Sequence, residues 1–119
     1  MKSIKFLGLI FISLIAFQFS NAQTISDSVM VNGNCGSCKK TIEKNALAAG
    51  AETAFWNKTT KFLTVSYDPA KSNSSKIQQS VANAGYDTQD FKANDKAYKG
   101  LDECCQYDRS KDLKVARKN

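Results

Sequence analysis

The chain has 119 residues, a formal net charge of +6, four cysteines and no histidine. The missing imidazole excludes Ser-His-Asp and Cys-His catalysis and any zinc site that needs His. The basic run over residues 111–118 has no interleaved aromatics, so it reads as a solvated tail and not as a nucleic-acid groove.

The N-terminus carries the pattern of an export signal. Lys2 and Lys5 precede an apolar run over residues 6–17, and Ser20-Asn21-Ala22 supplies small residues at a cleavage site before Gln23. The run is shorter than the roughly 20 residues a membrane-spanning helix needs. An uncleaved anchor is the alternative reading. Residues 1–22 are therefore expected to be a signal peptide, leaving one small domain with no membrane span. The destination is the periplasm, or secretion beyond it. All four cysteines, Cys35, Cys38, Cys104 and Cys105, lie in the exported part, where disulfides are permitted.

Residues 24–31 read as a first strand, with Val29 and Val31 on one face and Met30 on the other. Residues 33–36 form a Gly-containing loop that runs into a helix, with Ile42, Ala46 and Ala49 at helical spacing and Gly50 as its stop. Cys35 and Cys38 stand three apart where that loop enters the helix. A helix N-terminus favours negative charge, and thiolate is the form that binds soft metals and attacks disulfides. Residues 51–57 and 61–67 alternate as two strands, with Ala54 and Trp56 on one face and Leu63, Val65 and Tyr67 on one face. Asn73 or Ser74 caps a second helix whose stripe is Ile77, Val81 and Ala84, and Gly85 ends it. Residues 86–91 then read as a last short strand. The order is that of an α+β, ferredoxin-like βαββαβ antiparallel sandwich spanning residues 23–91, followed by a Cys-containing extension over residues 92–119.

With the pair Cys35-Gly36-Ser37-Cys38 at the first strand-to-helix loop of this order, the chain resembles the heavy-metal-associated domain family. That family includes copper chaperones, modules of copper-transporting ATPases and the periplasmic mercury-binding protein. The likeness extends through Lys39-Lys40-Thr41-Ile42-Glu43, the hairpin ending Val65-Ser66-Tyr67-Asp68-Pro69, and Ala84-Gly85-Tyr86. It implies a metal-binding, non-enzymatic protein with Cys35 and Cys38 as ligands. Cu(I) is the first expectation and Hg(II) or Zn(II) the next. The implied partner is a metal donor or acceptor such as a transporter domain, and the protein itself is expected to be a monomer. Lys39, Lys40 and Lys44 are expected to favour an anionic bis-thiolate complex. A thiol-disulfide redox protein or sensor is the rival from another class, and a small interaction module with oxidised cysteines is a third.

Two departures from the family pattern stand out. Gly33 occupies the place where the family usually has Met under the loop, so support must come from elsewhere, with Tyr86 as the candidate. The extension, with adjacent Cys104 and Cys105, is the second. These two cysteines either add thiolates to the first site or staple the extension in disulfides; a bond between neighbours needs a strained ring. Residues 94–101 read as a short helix bringing Tyr98 and Leu101 against the domain. Phe55 and Phe62 fall on the sheet face that carries no helix, where the extension is expected to cover them, a partner being the alternative.

Overall fold

A computed structural model describes residues 23–110. The expected signal peptide and the basic run over 111–118 lie outside the described residues. Strand β1 covers Ile25–Met30, helix α1 Gly36–Ala48, β2 Thr53–Trp56, β3 Phe62–Tyr67, α2 Ser74–Asn83 and α3 Asp95–Lys99; a 3-10 turn follows at Glu103–Cys105. The three strands make one antiparallel sheet in the order β1-β3-β2, with Val29 opposite Leu63 and Trp56 opposite Leu63 on its other side.

Alternation decides which side is filled. Val29, Trp56, Leu63, Val65 and Tyr67 point into one core with Ile42 and Ala46 of α1 and Ile77 and Val81 of α2. Burying side chains of this size contributes about 1.5–3 kcal/mol each. Asn73 caps α2 as expected, its side chain accepting the Lys76 N–H at 2.8 Å. Among the described residues no helix is long and apolar enough to cross a membrane.

The expected fourth strand is reduced to a single bridge, Val31 to Thr88. Thr88 and Phe91 bond each other, Thr88 N–H to Phe91 O at 2.7 Å and Phe91 N–H to Thr88 Oγ1 at 3.1 Å. Gln78 of α2 then ties down Asp90 from both sides. Those bonds close a turn over 88–91 and use the groups a strand ladder would need.

The extension runs back across the domain at the end that carries the first loop. Helix α3 forms where expected, capped by Asn94 onto the Ala97 N–H at 2.7 Å, and Tyr98 and Leu101 pack against the core. The extension does not cover the open sheet face: Phe55 and Phe62 remain 56% and 42% exposed. The polar and charged groups of the extension find their partners beside Gly85 and Asp87 instead, at the opposite end of the second helix from its cap.

Candidate metal centre

The loop before α1 is held from below by an indole. The Trp56 ring lies so close to Gly33 that a Cβ there would meet its Cζ2 and Cη2 at 3.1 Å and the Ile42 Cδ1 at 3.2 Å. Trp56 Nε1–H donates to Val31 O at 3.0 Å, and Lys61 Nζ donates to Gly33 O. Glu43 accepts both Lys39 and the Trp56 N–H, fixing α1 to the edge strand. Loop support therefore comes from Trp56, and not primarily from Tyr86 as the sequence suggested. A small residue above a large one fills the volume.

Cys35 occupies the N-cap position of α1 with extended backbone, and no side-chain hydrogen bond of ordinary geometry closes the helix start. The first turn nevertheless acts on its sulfur. The Cys38 backbone N–H is the main influence that lowers the Cys35 thiol from 9.0 to about 6; burial opposes it, and the Cys104, Cys38 and Cys105 thiols add to the lowering. Cys38 is fully buried and moves the other way, to about 11, chiefly because burial penalises its anion. One thiol of the pair is thus ready to ionise at neutral pH while the other awaits a cation.

The extension brings two more sulfurs to the same place. Cys35 Sγ lies 3.3 Å from Cys38 Sγ, 3.3 Å from Cys104 Sγ and 3.4 Å from Cys105 Sγ. All four are free thiols, so the stapling disulfides considered for the extension are not formed here. Cys104 and Cys105 sit 3.9 Å apart and divide by exposure: Cys104 faces solvent, whereas Cys105 is 2% exposed. The sulfurs of Cys35, Cys38 and Cys105 lie within 4.8 Å of one another, a set that could hold a metal ion. Burial is the first cause that raises the Cys105 thiol, with the Tyr86 phenol acting in the opposite sense on its sulfur. Tyr86 itself is buried and its ionisation is pushed far up by burial, so it stays a neutral phenol.

Residues that sequence reading had not singled out hold this second half of the cluster. The Tyr107 hydroxyl accepts the Asp87 N–H at 2.7 Å and donates to Gly85 O at 2.8 Å. Its ring stacks near Tyr86 and meets Tyr98 edge-on at 5.0 Å. Arg109 grips Asp87 with two bonds, Nε to Oδ2 at 3.0 Å and Nη2 to Oδ1 at 2.8 Å, and also reaches Asp95 and Ala93 O. Gly85 has φ +113, and a Cβ there would meet Ala97 O at 2.8 Å, so the approach of α3 depends on its lack of a side chain. The signal in the chain was Gln106-Tyr107-Asp108-Arg109 directly after Cys104-Cys105; which acid Arg109 meets is a matter of tertiary geometry. Lys39 reaches Glu43 and sits 4.0 Å over the Phe55 ring.

Solved structures similar to part of this chain include a metallochaperone and a copper-binding domain. The CopZ metallochaperone is 30% identical over 54% of this chain and 98% of its own, with a TM-score of 0.50. Oxidised MerP from Ralstonia metallidurans CH34 is 26% identical over 56% of this chain and 94% of its own, TM-score 0.52. This is a heavy-metal-associated fold. The N-terminal domain of a potential copper-translocating P-type ATPase from Bacillus subtilis, solved in its Cu(I)-loaded state, is 26% identical over 56% of this chain and 85% of its own, TM-score 0.52. No family model matches the sequence, and no curated protein does. The matched share is little more than half of this heavy-metal-associated chain. Similarity to these metallochaperone and metal-binding domains, together with the thiol cluster, supports soft-metal binding by a non-enzymatic protein.

Proposed function

We propose that this chain is an exported carrier of a soft metal ion, Cu(I) before Hg(II) or Zn(II), bound through Cys35 and Cys38 and passed to the thiolates of a partner. The observation that carries the reading is the pairing of a readily ionised Cys35 with Cys38 at 3.3 Å on the first turn of α1. Soft thiolates select soft ions, and Cu(I) accepts the low coordination number that two or three sulfurs offer. A domain over residues 23–91 holds the pair, and the described part of the extension, residues 92–110, packs back onto it. The partner is a donor or acceptor with its own paired thiolates, such as a transporter domain, because ligand exchange needs incoming sulfur.

Protein recovered from cells expressing the full chain, fully reduced and titrated anaerobically, should take up about one Cu(I) and lose that capacity in C35S and in C38S. Its mass should correspond to a start at Gln23, and it should leave cells with the periplasmic fraction. A chain that stays ion-free after complete reduction sinks the carrier reading. One observation favours a second reading: the Cys35 sulfur lies within 3.4 Å of three other free thiols. A redox protein would show disulfide exchange with substrate proteins and a reduction potential set between those of its compartments.

A further inference from the structure

We propose that Cys105 is a third, resident ligand of the ion, and that the strap carrying it gates release. The inference rests on the carrier reading above and names how that site is completed and controlled. Cys105 is buried at the edge of the apolar core, and its sulfur also lies against two other thiols, 3.4 Å from Cys35 and within the 4.8 Å set that includes Cys38. A cysteine buried only to fill space needs apolar neighbours and no convergent thiols. Three sulfurs around one ion at a metal–sulfur distance of about 2.3 Å stand about 4 Å apart in a plane. Rotating these side chains by a fraction of an ångström reaches that spacing.

The position of Cys105 does not depend on the sulfurs. Residues on both sides of it are anchored to the domain by other chemistry: Leu101 packs against the core, Tyr107 bonds Asp87 and Gly85, and Arg109 holds the Asp87 carboxylate with two bonds. Adjacent residues in the 3-10 turn point their side chains apart, which places Cys105 inward and leaves Cys104 in solvent. An open two-thiolate loop exposes its ion to any incoming thiolate. Here the incoming sulfur must first displace Cys105, so hand-over waits on loosening of the strap at Arg109 and Asp87. The chain is built to retain its ion until a partner unlatches it.

X-ray absorption on the Cu(I)-loaded protein, recovered from cells expressing the full chain, should count three sulfurs. The count should fall to two in C105A and stay at three in C104A. Transfer of Cu(I) to a competing chelator should quicken by roughly tenfold or more in C105A, as expected for a lost ligand. R109Q keeps every sulfur, so it should retain a count of three and still release faster than the parent. This arm stands even if C105A folds poorly. Two sulfurs in the parent, a count that falls in C104A instead of C105A, or unchanged release in R109Q would each overturn the proposal. Failure to load any Cu(I) would instead overturn the carrier reading on which it rests.

Discussion

The two halves of the thiol cluster reach the same place by different means. Cys35 and Cys38 are fixed by local structure: three residues of helix start set their spacing, and the indole of Trp56 under Gly33 sets the height of the loop. Cys104 and Cys105 arrive from 69 and 70 residues away in sequence from Cys35, on a segment whose regular structure is one short helix and a 3-10 turn. Their positions come from a handful of polar bonds between the strap and the turn after α2. A site assembled in this way has one rigid half and one half whose attachment can be weakened without unfolding the domain. On the proposal above, that division separates binding an ion from keeping it.

The largest test attacks the rigid half. W56A removes the fully buried indole, its bond to Val31 and the floor under Gly33, and should cost about 3–5 kcal/mol in urea unfolding. A loss under 1 kcal/mol would mean that the loop is supported by something else. Next comes the latch. R109A leaves the buried Asp87 carboxylate with fewer partners, and breaking such a partly buried pair should cost about 1–3 kcal/mol. The loss should be local, seen as faster hydrogen exchange over residues 103–107 with α1 and the sheet unchanged. Equal acceleration everywhere would abolish the distinction between the two halves.

G33A sharpens the comparison at a smaller scale. Its Cβ meets the Trp56 ring at 3.1 Å, so the variant should lose about 1 kcal/mol through overpacking, and a smaller ring in W56F should relieve part of that cost. Additive effects of the two changes would show that Gly33 and Trp56 do not share a volume.

The mildest perturbation is pH, read as alkylation of the reduced, metal-free protein. A thiol whose ionisation is lowered to about 6 is thiolate above that pH and loses its reactivity as pH falls through it. Cys35 should therefore be labelled at pH 7, with a half-maximal rate near pH 6, while Cys38 resists labelling until the pH approaches 11. Equal rates for the two at pH 7 would remove the asymmetry within the pair.

Much of the fold was legible because its signals are local. Alternation marked the three strands, Asn73 and Gly50 marked helix ends, and the Cys35–Cys38 pair, set in the family's order of motifs, marked the candidate site. The last strand was not legible in this way. Residues 86–91 read as a short last strand, but Thr88 bonds Phe91 and Gln78 captures Asp90, contacts that form in the folded chain. The covering of Phe55 and Phe62 failed as an expectation for a related reason: the extension follows Tyr107 and Arg109 to the polar turn, and those bonds outweigh an apolar face on the far side of the sheet.

By itself the sequence determined the chemistry available: four thiols, no imidazole, and two cysteines placed at the start of a helix whose first turn stabilises a thiolate. Spacing along one helix is a local property, so it can be read from a string. The tertiary structure alone decided that Cys105 turns inward beside Cys38, that Cys104 stays in solvent, and that Arg109 chooses Asp87. Those outcomes depend on where two distant segments meet, which is set by packing and buried polar bonds across the whole domain.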